Sequence, residues 1–101
     1  MNEYDLYVPV YLGPRKRLPR SELNALKKRL TRQFGGVTHF PQKSKGVWKI
    51  GRATFYDEMV ILRVLSNRAS ERFWTKLKSE LQRTWHQQQI LIVVRKVKVV
   101  R

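Results

Sequence analysis

The chain has 101 residues, and its 22 lysine and arginine residues against seven acidic ones give it a net charge of +15. This length predicts one domain, residues 1–101. The absence of cysteine excludes disulfides, thiolate metal sites and cysteine nucleophiles. No apolar run approaches the roughly 20 residues that span a bilayer, and no basic leader precedes the first apolar segment. These features predict a soluble, cytoplasmic protein without membrane insertion.

The first half of the chain predicts a strand, a helix and a second strand. Apolar and polar residues alternate over residues 4–12, which is typical of a half-buried strand. Leucines recur every three or four residues between Pro19 and Gly35, which predicts an amphipathic helix that the glycine ends. The second strand is expected in two parts, residues 37–41 and 47–50, on either side of a turn with the sequence QKSKG.

The second half predicts a strand, a helix and a final strand. The third strand is expected over residues 54–65, and Ser70 is a candidate N-cap for a helix that runs to about His86. Residues 90–100 are rich in β-branched side chains and predict the last strand. The order is therefore βαββαβ, which is typical of an α+β, ferredoxin-like fold with a four-stranded antiparallel sheet and two helices on one face.

Two of the predicted strands are apolar on both faces, over residues 59–62 and 90–94. Such runs indicate strands that are covered on both sides. Because two helices can cover only one side of the sheet, we expect a homodimer that packs through the other sheet face, in a dimeric α+β barrel-type assembly. The alternative is a monomer with an ordinary scatter of exposed apolar side chains.

The excess of positive charge favours a polyanionic partner, because binding releases counterions and relieves repulsion within the chain. We therefore predict a nucleic-acid-binding protein that contacts the phosphate backbone of RNA or DNA. The candidate contacts are Arg15, Lys16, Arg17, Arg20, Lys28, Arg32, Lys43, Lys45 and Trp48. The tryptophan would stack on a base between the charges. The alternative is a solvated basic surface.

Catalytic residues are harder to predict, and only His39 and Asp57 are candidates. A histidine titrates near neutral pH, and a carboxylate could act as a general base or hold magnesium. Structural roles for both remain open. No spacing of ligands predicts a metal or cofactor. Two further functions stay open: a dimeric barrel enzyme or small-ligand-binding protein with a pocket between the sheet and the helices near His39, Tyr56 and Asp57, and a small ribonuclease or toxin-like enzyme.

Five segments that span nearly the whole chain carry a resemblance to known proteins: LYVPVYLG, FGGVTHFP, KGVW, DEMVILRVLS and ILIVVRKVKVV. With these segments the chain resembles small bacterial ferredoxin-like proteins for which no activity is established. The resemblance implies the βαββαβ fold and implies no reaction, cofactor or site residue.

Overall fold

The sheet and the helices follow the predicted order. The computed structural model describes residues 1–100, and every side chain among them except those of Trp48 and Phe55. The elements are β1 (Asn2–Pro9), β2 (Tyr11–Gly13), β3 (Lys16–Arg17), α1 (Arg20–Phe34), β4 (Thr38–Ile50), β5 (Ala53–Ser66), α2 (Glu71–Thr84) and β6 (Ile92–Lys96). The four long strands form one antiparallel sheet in the order β4-β5-β1-β6, and β2 pairs with β3. The predicted ferredoxin-like fold is confirmed.

The core lies between the helices and one face of the sheet. Alternate residues of β1 and β5 meet leucines of both helices there, and the fully buried members include Leu6, Val8, Leu30, Leu62, Val64 and Leu77. An aromatic stack closes one end of this layer: the rings of Tyr4 and Trp74 have centroids 4.9 Å apart, and those of Phe34 and Trp74 are 5.3 Å apart. Because side chains fill this layer, the folded chain is held mainly by apolar burial.

Both helices end close to where the sequence predicts. Gly35 adopts the left-handed conformation, with φ of 87°, and its N–H donates to the Thr31 carbonyl. This is the glycine stop expected for α1. Helix α2 follows Ser70, whose hydroxyl makes no capping hydrogen bond, and it ends at Thr84, two residues before the predicted end. His86 then takes a positive φ of 54° as the chain leaves the helix.

Strand β4 is the largest departure from the sequence prediction. The expected turn at QKSKG is wrong, because these residues continue the strand, with a bulge between Phe40 and Ser44. The hairpin reverses at Gly51, with φ of 59°, and Arg52, between the predicted second and third strands. Since β1 pairs with β5 only as far as Met59, residues 42–58 form a two-stranded ribbon that extends beyond the sheet. We call this ribbon the hairpin arm.

The hairpin arm leaves the sheet at the end where β1 finishes, and we call this the arm end. Helix α1 begins at the arm end with Arg20, and α2 finishes there with Thr84. The two short strands, which hold residues 11–17, are tied to the same end, since Val10 N–H donates to the Glu58 carbonyl at 2.9 Å. Residues 86–91, which lead into β6, lie there too. Elements that are distant in sequence therefore meet at one end of the sheet.

The sheet face away from the helices carries a row of apolar side chains and a group of charged ones. Phe40, Ile61 and Tyr7 lie side by side across β4, β5 and β1 and are half-buried, and Tyr7 N–H donates to the carbonyl of Leu91. We call this surface the open face. Ile61 of this row and Val93, which is opposite Asp5 on β6, put apolar side chains on the open face, and this explains why their two strands looked covered on both sides in the sequence.

Candidate ligand pocket and basic surfaces

A pocket of about 500 Å³ lies at the arm end of the open face. Tyr7 and Pro9 of β1, Met59 of β5 and Leu91 form its apolar and aromatic part. Lys49 and Ile50, near the tip of the hairpin arm, line the same pocket, so the arm leans over this end of the sheet. The volume is within the range of about 300–1,000 Å³ typical of small-molecule sites.

Asp57 is the one carboxylate among the described residues that line this pocket. It is half-buried on β5, opposite Gly46, and this neighbour carries no side chain that could cover it. The other polar groups come from residues 86–89, a histidine followed by three glutamines. Gln87 is engaged within the fold, because its side-chain amide donates to the carbonyls of Leu12 and Trp85. The pocket therefore combines an apolar and aromatic surface with a carboxylate, a lysine and amides.

The structure separates the residues that the sequence analysis grouped around a pocket. Asp57 lines the pocket, whereas Tyr56 is 79% exposed on the hairpin arm. His39 pairs with Leu62 on the helix side of the sheet, which is the opposite face. The pocket was expected between the sheet and the helices, but that layer is filled by the core. The catalytic roles suggested for His39 and Asp57 stay predictions.

His39 is held in a structural environment between β4 and α1. The Lys27 ammonium lies 3.3 Å from His39 Nδ1. Since an ammonium only donates, Nδ1 accepts and the neutral ring carries its proton on Nε2. That Nε2 is buried and has no hydrogen-bond partner among the described residues. Burial, followed by the charge of Lys27, lowers the pKa of His39.

This lowered pKa predicts a pH-dependent stability. As pH falls below about 6.5, the unfolded chain binds a proton at His39 before the folded chain does, so the free energy of unfolding decreases. We expect a decrease of at most about 1.4 kcal/mol per pH unit between neutrality and pH 5. Urea titrations followed by circular dichroism measure it. His39→Asn should flatten this pH dependence. An unchanged slope in His39→Asn would contradict the assignment.

The predicted phosphate contacts fall into three places. Every one of these lysine and arginine side chains is exposed. Arg15, Lys16 and Arg17 lie in or beside the β2–β3 ribbon at the arm end, and Arg20 opens α1 there. Lys28 and Arg32 are further along α1, and Arg32 is about 18 Å from Arg20 along the helix axis. The structure therefore places Arg32 apart from the candidate contacts at the arm end.

The third group is on the hairpin arm. Lys43 lies at the bulge and Lys45 in the paired part of the ribbon, and both are exposed. The Trp48 side chain, predicted as a stacking contact, lies outside the part of the chain that the structure describes. The structure thus brings the loop cations and the arm cations to the same end of the sheet, although 23 positions separate Arg20 from Lys43 in the chain.

A charged cluster on the open face was missed by the sequence analysis. Asp5 is 1% exposed and accepts two hydrogen bonds from Arg63, at 2.8 and 3.0 Å, and one from Arg95 at 3.2 Å. Glu3 makes ion pairs with the same two arginines at 3.2 and 3.0 Å. The hydrogen bond from Arg63 to Asp5 raises the pKa of Arg63. The guanidinium of Arg63 also lies 4.7 Å from the centre of the Phe40 ring.

Only the strand registers bring these four residues together. Asp5 is opposite Arg63 on β5, and Glu3 is opposite Arg95 on β6. Alternating acids at positions 3 and 5 of a strand were the available signal, since residues two apart share a face. Their basic partners are 58 and 90 positions away from Asp5 in the chain, and no local pattern identifies them.

The fold and the pocket can now be compared with known proteins. No protein-family model matches the chain, and no curated protein matches it. Solved structures do share its fold. The divalent cation tolerance protein Cut A1 from Thermus thermophilus aligns with a TM-score of 0.65 at 15% identity, over 100% of this chain and 88% of its own.

A phage SAM lyase shares the fold as well. Its complex with S-methyl-5'-thioadenosine aligns with a TM-score of 0.63 at 11% identity, over 94% of this chain and 80% of that one. Its apo form gives 0.60 at 11% identity, over 93% and 78% of the two chains. At these identities the likeness shows the ferredoxin-like α+β fold. Among the described residues, no helix is both long and apolar enough to cross a membrane, and no three metal-binding side chains cluster.

Proposed function

We propose that this protein binds a small molecule in the pocket at the arm end of the open face, as an enzyme or as a ligand-binding protein. The observation that carries the proposal is the position of Asp57, a single carboxylate beside the apolar and aromatic surface of Tyr7, Met59 and Leu91. Binding sites for small molecules typically combine such a surface with a few polar groups that fix the orientation of the ligand.

The ligand that best fits these groups is a nucleoside-sized molecule. A flat heterocycle can lie against Tyr7 and the apolar side chains, because aromatic rings pack well through their faces. Hydroxyl or amino groups of the ligand can donate to the Asp57 carboxylate, and such charge-assisted hydrogen bonds are the strong ones. A fold relative, the phage SAM lyase, is seen in complex with S-methyl-5'-thioadenosine, which supports the choice of that compound as the first probe.

Isothermal titration calorimetry with S-methyl-5'-thioadenosine tests the proposal. The parent protein should bind it, and Asp57→Asn should weaken binding about tenfold or more, because a hydrogen bond to a charged group contributes about 1.5–3 kcal/mol. Glu58→Gln is the matched control: it makes the same change one position along β5, where the side chain points to the opposite face. It should bind as the parent does.

Two outcomes would contradict the proposal. One is the absence of binding heat and of thermal stabilisation for both the thioadenosine and adenosine. The other is equal affinity in Asp57→Asn and the parent, which would place the ligand elsewhere. A titration with divalent cations alone separates nucleoside binding from metal binding, since a response to the cation would indicate a different kind of site.

We further propose that a second copy of the chain covers the open face. Most of the surface is strongly cationic, and two such surfaces repel one another. The open face differs, because its cluster of Glu3, Asp5, Arg63 and Arg95 is balanced in charge, with two acids and two bases. Beside the cluster lies the apolar row that contains Phe40, which burial against an identical face would shield from water. This surface therefore allows two copies to approach without net repulsion.

A further inference from the structure

The strongest remaining feature of the surface is the outer part of the hairpin arm, of which Lys49 and Ile50 also line the pocket. Residues 42–56 carry four basic residues and no acidic one. The basic side chains, Lys43, Lys45, Lys49 and Arg52, are all exposed. Among the side chains that the structure describes, none of the four makes an ion pair. Asp57 and Glu58 lie at the base of the arm, with Glu58 opposite Lys45, so the whole arm of residues 42–58 carries four basic and two acidic residues and keeps a net positive charge.

The arm also exposes apolar surface between these charges. Val47 and Tyr56 lie directly opposite each other in the ribbon and are 64% and 79% exposed. By the alternation along each strand, Lys45 and Lys49 flank Val47 on the same face. One face of the arm thus presents two lysines on either side of an exposed valine–tyrosine pair, and Lys49 also reaches the pocket edge.

The shape of the arm limits the partner. The paired residues beyond the sheet extend for about 20 Å, and two strands are about 4.8 Å apart. A ribbon of this width fits the major groove of B-form DNA, which is about 12 Å wide and admits a two-stranded β-ribbon. The major groove of an RNA duplex is too narrow for side chains to read. The exposed cations of the ribbon would then lie near the phosphates.

We infer that the hairpin arm is a binding element for double-stranded DNA, and that the basic loop at the arm end contacts the adjoining phosphates. Arg15, Lys16, Arg17 and Arg20 belong to this loop, and they are exposed at the end of the sheet from which the arm extends. A second copy of the chain is a less suitable occupant of the arm, because each copy carries a net charge of +15. This inference does not depend on the proposed ligand.

The test is fluorescence anisotropy with a labelled DNA duplex over a series of salt concentrations. The triple variant Lys43→Gln, Lys45→Gln, Arg52→Gln should bind about tenfold or more weakly, and the slope of log affinity against log salt should fall by about 0.9 for each phosphate that the variant no longer neutralises. Lys49 is left intact because it also lines the pocket. Circular dichroism should show an unchanged fold, since all three side chains are exposed.

A matched control removes an equal number of positive charges, three, from the opposite end of the molecule. Arg72 and Lys76 lie in the first half of α2, and Lys98 follows β6. The variant Arg72→Gln, Lys76→Gln, Lys98→Gln should bind DNA within about twofold of the parent. Equal losses of affinity in the two triple variants would overturn the inference, because the binding would then follow net charge alone.

Three other outcomes would also overturn it. These are tighter binding of single-stranded DNA or duplex RNA than of duplex DNA, no binding even at low salt, and a change of oligomeric state in place of a change of DNA affinity. The variant Val47→Glu separates the last of these outcomes. It places an acid on the exposed face of the arm and should lower DNA affinity while its sedimentation coefficient stays that of the parent.

Discussion

Asp5→Ala is expected to lower the free energy of unfolding by about 2–3 kcal/mol. Removing one partner of a buried ion pair costs about 3–5 kcal/mol when the remaining charge stays buried. Here the remaining charges are the side chains of Arg63 and Arg95, which are 33% and 47% exposed and regain some hydration. Glu3 also continues to neutralise them, so we expect the loss of stability in Asp5→Ala to lie below the general range for a buried ion pair.

Urea unfolding followed by circular dichroism measures this effect, at two protein concentrations so that any contribution from association is seen. Asp57→Ala is the matched control: it makes the same substitution on the same sheet face at a carboxylate for which no ion pair is found among the described residues. It should lie within about 0.5 kcal/mol of the parent. If Asp5→Ala is equally mild, the cluster contributes little to stability.

Ile61→Lys is expected to abolish association of the protein at micromolar concentration. Ile61 lies in the apolar row of the open face, between Phe40 and Tyr7, where the proposed partner copy would bury it. An unpaired ammonium buried at that position costs several kcal/mol, and each 1.4 kcal/mol weakens the dimer about tenfold. Because Ile61 is only half-buried in a single copy, the new lysine can reach water and the monomer should fold.

Sedimentation velocity measures the result, with Val94→Lys as the control. Val94 lies on β6 opposite Tyr4, whose side chain is in the core, so it belongs to the helix side of the sheet. It is 54% exposed, and its replacement adds the same charge without touching the open face. Association that survives Ile61→Lys, or is lost equally in both variants, would rule out the open face as the interface.

The helices and the core could be predicted from local pattern, and the hairpin arm could not. Leucine spacing defines α1 because the helix must bury one stripe, and Gly35 ends it because a left-handed residue is needed there. Residues 42–46 are polar and contain a glycine, which is typical of a turn. They form a strand because the backbone hydrogen bonds to β5 hold the ribbon together without an alternating apolar pattern.

The candidate sites were even harder to predict from the sequence than the hairpin arm, because they depend on the three-dimensional arrangement of distant residues. Asp57 could be picked from the sequence as an isolated acid, but its pocket forms only because the arm leans over Tyr7 and residues 86–91 complete the wall. The Asp5 cluster joins three strands through their registers, which sequence alone does not specify. His39 was attractive as a titratable group, and its contact with Lys27 became visible only once β4 was packed against α1.

The basic residues in and just after the edge strand β6 help to keep the protein from aggregating. Its outer edge has no partner among the described residues, and it holds a run of β-branched side chains of the kind that recruits further strands in cross-β assembly. Arg95, Lys96 and Lys98 interrupt this run. Charged residues on an exposed edge oppose pairing with another chain, so the sequence that completes the sheet also carries the residues that discourage its growth into a fibril.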